Sequence, residues 1–291
     1  MIFSSMILLE KAKVYADMIK LAHTLFALPF ALSAAVLAYR DGYPFDWQTF
    51  FWIIIAFTCA RSAAMGFNRA VDADIDALNP RTKMRPSVSG KISIKDTKIF
   101  TAISAILFVF SAFMINTICA VLSIPALVVL FGYSYAKRWT FFAHYILGLS
   151  LSLAPIGAWL AVSGTIDWRI LILACCLFFS IAGFDLIYAL QDMKFDIAHK
   201  LHSIPAKFGE KITLMISAIS FAVSSTMLFV LGKAFELNTI FYASAIVITI
   251  LYILGFATIL KAGMQKVNLV FFYMNASISI VIFAAITTNL F

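Results

Sequence analysis

Four aspartates carry the most informative spacing in this chain. Asp72 and Asp76 are four residues apart, as are Asp192 and Asp196, and each member of the second pair lies 120 residues after its counterpart. Residues four apart share a helix face, so each pair projects two carboxylates from one patch of helix. Like charges held that close repel and raise each other's pKa. A bound cation removes that cost. Oxygen donors without His or Cys suit hard cations, and Mg2+ takes one or two carboxylates plus substrate phosphates. Neighbouring Arg and Lys supply the complementary half of a phosphate site. A polyphosphate bridged by Mg2+ between the two Asp pairs is the chemistry this pattern predicts.

Other polar residues extend the same faces. Arg61 and Asn68, seven apart, share a stripe with Asp72 and Asp76. Asp185, Tyr188, Asp192 and Asp196 fall within an arc of about 80°. Asp74 points roughly the opposite way on a helix. Gly90 and Gly209 follow the two pairs at similar distances. The offset reads as a parallel duplication of a four-span unit.

The elements that position these acids are set by composition. The chain has 291 residues, 63% of them hydrophobic and 12% charged, with a mean hydropathy of +0.98. Soluble domains run about 45–50% apolar and about 25% charged, so a soluble or disordered chain is excluded. Cys59, Cys119, Cys175 and Cys176 sit in apolar runs, which argues against a disulfide framework or a zinc site. No Gly-rich nucleotide loop is present. Intramembrane polar residues are costly and mark functional sites by default.

A crossing helix needs about 20 apolar residues. Nine candidates lie near 21–39, 47–67, 99–115, 117–135, 142–163, 169–190, 212–232, 237–260 and 268–290. The chain reads as one all-α transmembrane domain over 1–291, built as two repeated four-helix units plus one helix. Asn116 is the only strong break between spans three and four, which predicts a tight hairpin. Pro29, Pro125 and Pro155 fall inside spans, where kinks are tolerated. The N-terminal 20 residues carry mixed charges and no small-residue cleavage site, unlike a signal peptide.

Charge fixes the expected orientation. With the N-terminus inside, eighteen Lys and Arg fall on inside segments. Arg40, Arg169 and Lys233 fall outside, and Arg61 lies within span two. That split favours N-in and C-out. It also explains the net charge of +8 without a nucleic-acid partner. Two inside loops are long, about 68–98 and 191–211, and hold seven of the 14 acids. A lipid-borne diphosphate suits a membrane cavity lined by aromatics, and the chain has 29 Phe.

These residues resemble the UbiA superfamily of intramembrane prenyltransferases along nearly the full chain. The family's NDxxDxxxD motif stands here as Asn68-Arg69-Ala70-Val71-Asp72-Ala73-Asp74-Ile75-Asp76. Arg61, Arg81-Thr82 and Arg85-Pro86 have family-like spacings. The YxxxDxxxD motif is Tyr188, Asp192 and Asp196, and the YxxxK element runs from Tyr133 to Lys137. Arg69 replaces the first motif's first Asp, and Asp74 is an added acid. The "NR…D.DID..NPRT" form, with His202-Ser203-Ile204-Pro205 later, is similar to a branch labelled 4-hydroxybenzoate polyprenyltransferase. That branch is also linked to menaquinone synthesis through futalosine, where the acceptor is a dihydroxynaphthoate.

The resemblance implies prenyl transfer from a polyprenyl diphosphate to an aromatic acid in ubiquinone or menaquinone synthesis. Asp72, Asp76, Asp192 and Asp196 then hold Mg2+, with Asn68 and Arg61 as candidates for acceptor or diphosphate. Arg81, Arg85 and Lys137, joined by Lys207, neutralise the leaving group. Tyr133 shelters the allylic cation, and Asp185 and Tyr188 serve substrate binding. It further implies a bacterial inner-membrane enzyme with its site facing the cytoplasm. Two other readings compete. A secondary transporter also has parallel repeats but places its binding residues at the midplane. A CDP-alcohol phosphotransferase needs a DGxxAR element, which this chain lacks. Within the prenyltransferase class, a haem or other lipid acceptor stays open.

Overall fold

The computed structural model describes residues 2–291, with side chains from Glu10 onward. Among the described residues every regular element is helical. Eight stretches are long and apolar enough to cross a membrane by length and composition. The last of them, Thr239–Leu290, contains two α-helices joined by the 3-10 turn Gly263–Lys266. The expected spans 237–260 and 268–290 correspond to those two helices.

In chain order the helices are α1 (Ile2–Met18), α2 (Leu28–Arg40), α3 (Trp47–Val71), α4 (Ala73–Leu78), α5 (Ile94–Ile115), α6 (Thr117–Gly132) and α7 (Ala136–Trp139). There follow α8 (Ala143–Ser163), α9 (Trp168–Ala189), α10 (Met193–Ala198), α11 (Ile204–Ala234), α12 (Thr239–Ala262) and α13 (Val267–Thr287). Six of them start on a polar side chain that accepts a backbone N–H of the first turn: Asp46, Ser93, Asn116, Asp167, Ser203 and Asn238. Asn116 ends α5 with φ −166° and ψ 169° and then caps α6, which makes the tight hairpin.

Two local expectations change. Pro125 and Pro155 lie inside helices, but Pro29 sits in the first turn of α2. There its missing N–H has no partner to lose, so it starts the helix and kinks nothing. The stretches 68–98 and 191–211 are not plain loops, because α4, α10 and the first turns of α5 and α11 lie within them, while 79–93 is a run of turns and bends. Gly209, at φ 79° and ψ 175°, breaks the first turns of α11 from the rest. The expected start of span seven at 212 follows that break.

Cα packing divides the chain into two compact units. One comprises the segment through Thr24 with Phe51–Tyr135, and the other Leu25–Phe50 with Ala136–Phe291. These units do not follow the sequential repeat, because α2 packs on α8 and α13. Its small side chains Ala31, Ser33, Ala34, Ala35 and Ala38 are buried and allow that close approach. In the same unit α8 and α9 meet backbone to backbone at Gly148. A Cβ there would lie 2.6 Å from the Phe178 carbonyl oxygen. At the far end from the Asp motif, Arg169 ion-pairs with both Asp41 and Asp167 and lies 4.5 Å over the Phe235 ring. That guanidinium holds the Asp167 carboxyl below the usual carboxylate range. Arg40 donates to the carbonyls of Phe235 and Glu236.

Candidate active site

Each Asp motif is built the same way inside its own unit. A long helix, α3 or α9, ends just before the first aspartate of the motif, directly at Val71 or through a 3-10 turn at Leu190–Asp192. Asp72 (φ −92°, ψ 6°) and Asp192 (φ −97°, ψ −1°) adopt the same bridge-region backbone. A six-residue helix follows, α4 or α10, and carries the second aspartate. Asp76 is 6% exposed and Asp196 is 1% exposed. Each second aspartate meets a cation: Asp76 with Arg85 at 2.5 Å, and Asp196 with Lys137 at 3.4 Å. Each motif then leads to a serine-capped helix, at Ser93 and at Ser203. Gly90 and Gly209 both take positive φ, 81° and 79°. The duplicated spacing in the sequence is therefore matched by duplicated local structure.

The first aspartates are not structural caps. Both occupy an N-cap position, yet neither side chain makes a capping hydrogen bond. Asp72 instead accepts from Asn68 Nδ2 at 2.7 Å. The helical ladder runs on through the break, since the Asp76 N–H donates to the Asp72 carbonyl at 2.7 Å. That continuity keeps the residues of this motif on one face, as their spacing predicts. Asp74 is exposed, and Asp192 is buried.

The other candidates divide into two groups. Asn68, Asp72, Asp76 and Arg85 form one cluster in the first unit. Thr82 Oγ1 supports it by donating to the Asp76 carbonyl at 3.0 Å. Tyr133 lies within electrostatic reach of Arg61 and Arg69. Arg81 is exposed, its backbone N–H held by Asn79 Oδ1 at 2.9 Å. Arg61 turns toward the N-terminal segment and donates to the Lys20 carbonyl at 3.3 Å, while its Nε is buried without a partner. In the second unit, Lys137 faces Asp196, and its carbonyl accepts the His202 N–H at 2.7 Å. The Tyr188 ring packs on Phe271 with centroids 4.8 Å apart. Lys207 is turned onto the Phe141 ring at 3.8 Å. That is a cation–π contact.

Two features escaped the sequence reading. Arg69 is 5% exposed, donates to the Met18 carbonyl at 3.2 Å and to Asn68 Oδ1 at 3.1 Å. It has Asp72, Asp76 and Arg85 within electrostatic reach. The residue in the motif's first acid position therefore ties α1 to α3 beneath the two carboxylates. The second is His144, fully buried, whose Nδ1 lies 2.7 Å from Asp185 Oδ2. A signal for it was available: His144 and Asp185 sit at adjoining ends of consecutive antiparallel spans.

Among the described residues, no three His, Cys, Asp or Glu side chains group closely enough to hold a metal ion by protein atoms alone. The donors present are hard carboxylate oxygens, two per motif. They fit Mg2+ in the mode that uses one or two carboxylates and leaves the remaining positions to substrate phosphate and water.

Comparison with known proteins agrees with this chemistry. The model of the UbiA prenyltransferase family matches residues 27–278. A 4-hydroxybenzoate octaprenyltransferase of Vibrio campbellii is 28% identical over 250 residues, covering 84% of this chain and 86% of that protein. The apo structure of a UbiA homolog from Aeropyrum pernix K1 superposes with a TM-score of 0.84 at 31% identity, covering 92% of this chain and 98% of that one. A UbiA homolog from Archaeoglobus fulgidus, solved with DMAPP and Mg2+, shares the fold at a TM-score of 0.71 and 18% identity, covering 94% and 99%. The chain is an integral membrane enzyme and belongs to the UbiA prenyltransferase family.

Proposed function

We propose that this enzyme transfers a polyprenyl group from a polyprenyl diphosphate to a hydroxylated aromatic acid, 4-hydroxybenzoate or 1,4-dihydroxy-6-naphthoate, in quinone biosynthesis. The observation that carries the reading is the pair of matching Asp motifs, each with a second aspartate buried against a cation. The name of the Vibrio relative supports the aromatic acceptor, and the ligands of the Archaeoglobus protein support the donor and the metal.

In this reading Asp72, Asp76, Asp192 and Asp196 hold Mg2+. When bound, the ion neutralises charge that develops on the departing diphosphate. Arg85 and Lys137 exchange part of their carboxylate pairing for diphosphate oxygens. Arg81 adds an exposed guanidinium, which suits a phosphate bidentately. Electrostatic stabilisation of a leaving anion is the largest contribution such a site makes. Tyr133 offers a π face to the allylic cation. Arg61, Asn68, Asp185 and Tyr188 serve the aromatic acid. Surrounding apolar helices exclude water, which would otherwise capture the cation.

We also propose nine crossings with the N-terminus and the active site in the cytoplasm, supported by the charge split. Reporter fusions should then give cytoplasmic activity after Lys98 and external activity after Phe291. Equal sidedness at both points would reject that topology.

The deciding assay is membrane-fraction prenylation with radiolabelled prenyl diphosphate and Mg2+, offering each acid separately. Labelled lipid product with one acid, abolished by EDTA, is the expected result. If neither acid is prenylated while the donor still binds in a Mg2+-dependent way, the acceptor class is wrong and a haem or other lipid acceptor takes its place.

A further inference from the structure

On α9, from Ile181 to Ala189, only Asp185 and Tyr188 are not buried. Access to this end of the helix is thus confined to one stripe, and a carboxylate stands in it. Asp185 Oδ2 is held by His144 Nδ1 from α8, and the Asp185 side chain stays 20% exposed. An ionised carboxylate only accepts, so Nδ1 carries the proton. His144 Nε2 is buried without a hydrogen-bond partner. The opposite tautomer would bury an orphaned N–H there, which costs more than an orphaned lone pair. The pair is also fixed in place. Gly148, one turn along α8 from His144, meets the backbone of α9 at Phe178. A purely structural pair would close off both partners. Here the imidazole holds one carboxylate oxygen at 2.7 Å while the Asp185 side chain keeps part of its surface exposed.

We propose that His144 is a positioning residue that holds Asp185 as the hydrogen-bond and proton acceptor for the hydroxyl of the aromatic substrate. The proposal rests on the prenyl-transfer reading and deepens it. The balance is as follows. A ring π pair forms the bond to the prenyl carbon, and the pair of the breaking C–O bond leaves with diphosphate. The hydroxyl proton moves to Asp185 as the ring oxygen becomes a carbonyl. The ring C–H proton then passes to the diphosphate, its electron pair restores the aromatic ring, and the oxygen recovers its proton from Asp185. Nothing is oxidised or reduced, and one proton is released on diphosphate. His144 takes no part in these transfers and serves by fixing where the carboxylate points.

The test uses wild-type membranes beside H144L, H144Q, D185N and H144L/D185N, each saturated with prenyl diphosphate and titrated with the accepted aromatic acid. H144L is expected to lower kcat/KM for the acid by about 10- to 100-fold, with the KM for prenyl diphosphate changed less than about twofold. In H144Q the amide N–H can still reach Asp185, and activity should return to within about fivefold of wild type. The double variant should be no worse than D185N, because both changes remove one coupled element. The proposal is overturned if H144L leaves the acid's kcat/KM unchanged, weakens both substrates equally, or multiplies with D185N. Should H144L not accumulate, H144A against H144Q reads the same contrast. A wild-type enzyme that prenylates no hydroxylated acid overturns the underlying reading, an outcome visible before any variant is compared.

Discussion

Replacing Asp192 by asparagine is expected to lower prenyl transfer by about a thousandfold or more, roughly 4 kcal/mol of transition-state stabilisation. Asparagine is as good an N-cap as aspartate and nearly the same shape. If Asp192 merely started α10, the change would be silent. The side chain makes no capping bond in the structure, so charge is what the substitution removes. Asp72→Asn should behave alike, because Asp72 holds the equivalent backbone position before α4. The two losses should not multiply in the double variant, since residues that act as one unit are strongly non-additive. Turnover by membranes carrying each variant, normalised to protein abundance, measures this. Activity within tenfold of wild type in either single variant would rule out the metal-binding role.

The second large effect concerns stability. Arg69→Asp writes the family's usual acid back into the first motif, and it is expected to destabilise this particular chain. The change removes the bonds from the guanidinium to the Met18 carbonyl and to Asn68. It also adds a buried carboxylate beside Asp72 and Asp76, with Arg85 left as the neighbouring cation. Breaking a buried charge arrangement from one side costs about 3–5 kcal/mol. For a chain of this size that corresponds to a fall in Tm of roughly 10 °C. Added Mg2+ should recover part of the loss, because a third carboxylate is the kind of ligand the ion favours. Thermal unfolding of the detergent-solubilised protein, with EDTA and with Mg2+, reads both effects. An unchanged Tm in EDTA would show that Arg69 is not the tie between α1 and α3.

These two predictions differ in how visible their residues were beforehand. Asp72 and Asp192 announce themselves, because a four-residue spacing repeated at a long offset survives whatever the loops do. Asn116 was equally plain: one polar residue in a long apolar run can only be a turn. Arg69 looked like a damaged motif position. Its partner is a backbone carbonyl at the end of α1, 51 residues earlier, and no pattern of side-chain types marks a carbonyl. The bounds of α4 and α10 were not legible for a related reason. Six residues are too few to show the apolar periodicity that identifies longer helices, and these two are held by what Asp76 and Asp196 touch. The place of Lys207 was not legible, because its charge counts the same toward topology whether it meets phosphate or the Phe141 ring. His144 and Asp185 lie 41 residues apart, and only the pairing of α8 with α9 makes them neighbours.

The clasp around Arg169 bears on the order in which the chain assembles during synthesis. Arg169 meets Asp167 two residues away but Asp41 only across 128 residues, and Arg40 reaches the Phe235 carbonyl across 195. Ribosomes add about 5–20 residues per second. Asp41 therefore waits several seconds to tens of seconds for its partner, and Arg40 waits longer still, whereas Arg169 emerges beside Asp167. Arg40 and Asp41 must go without these partners throughout that interval. Closure of the clasp becomes a late event that can occur only after α9 and the turn following α11 have left the ribosome, and α12 and α13 must still follow before the second unit is complete.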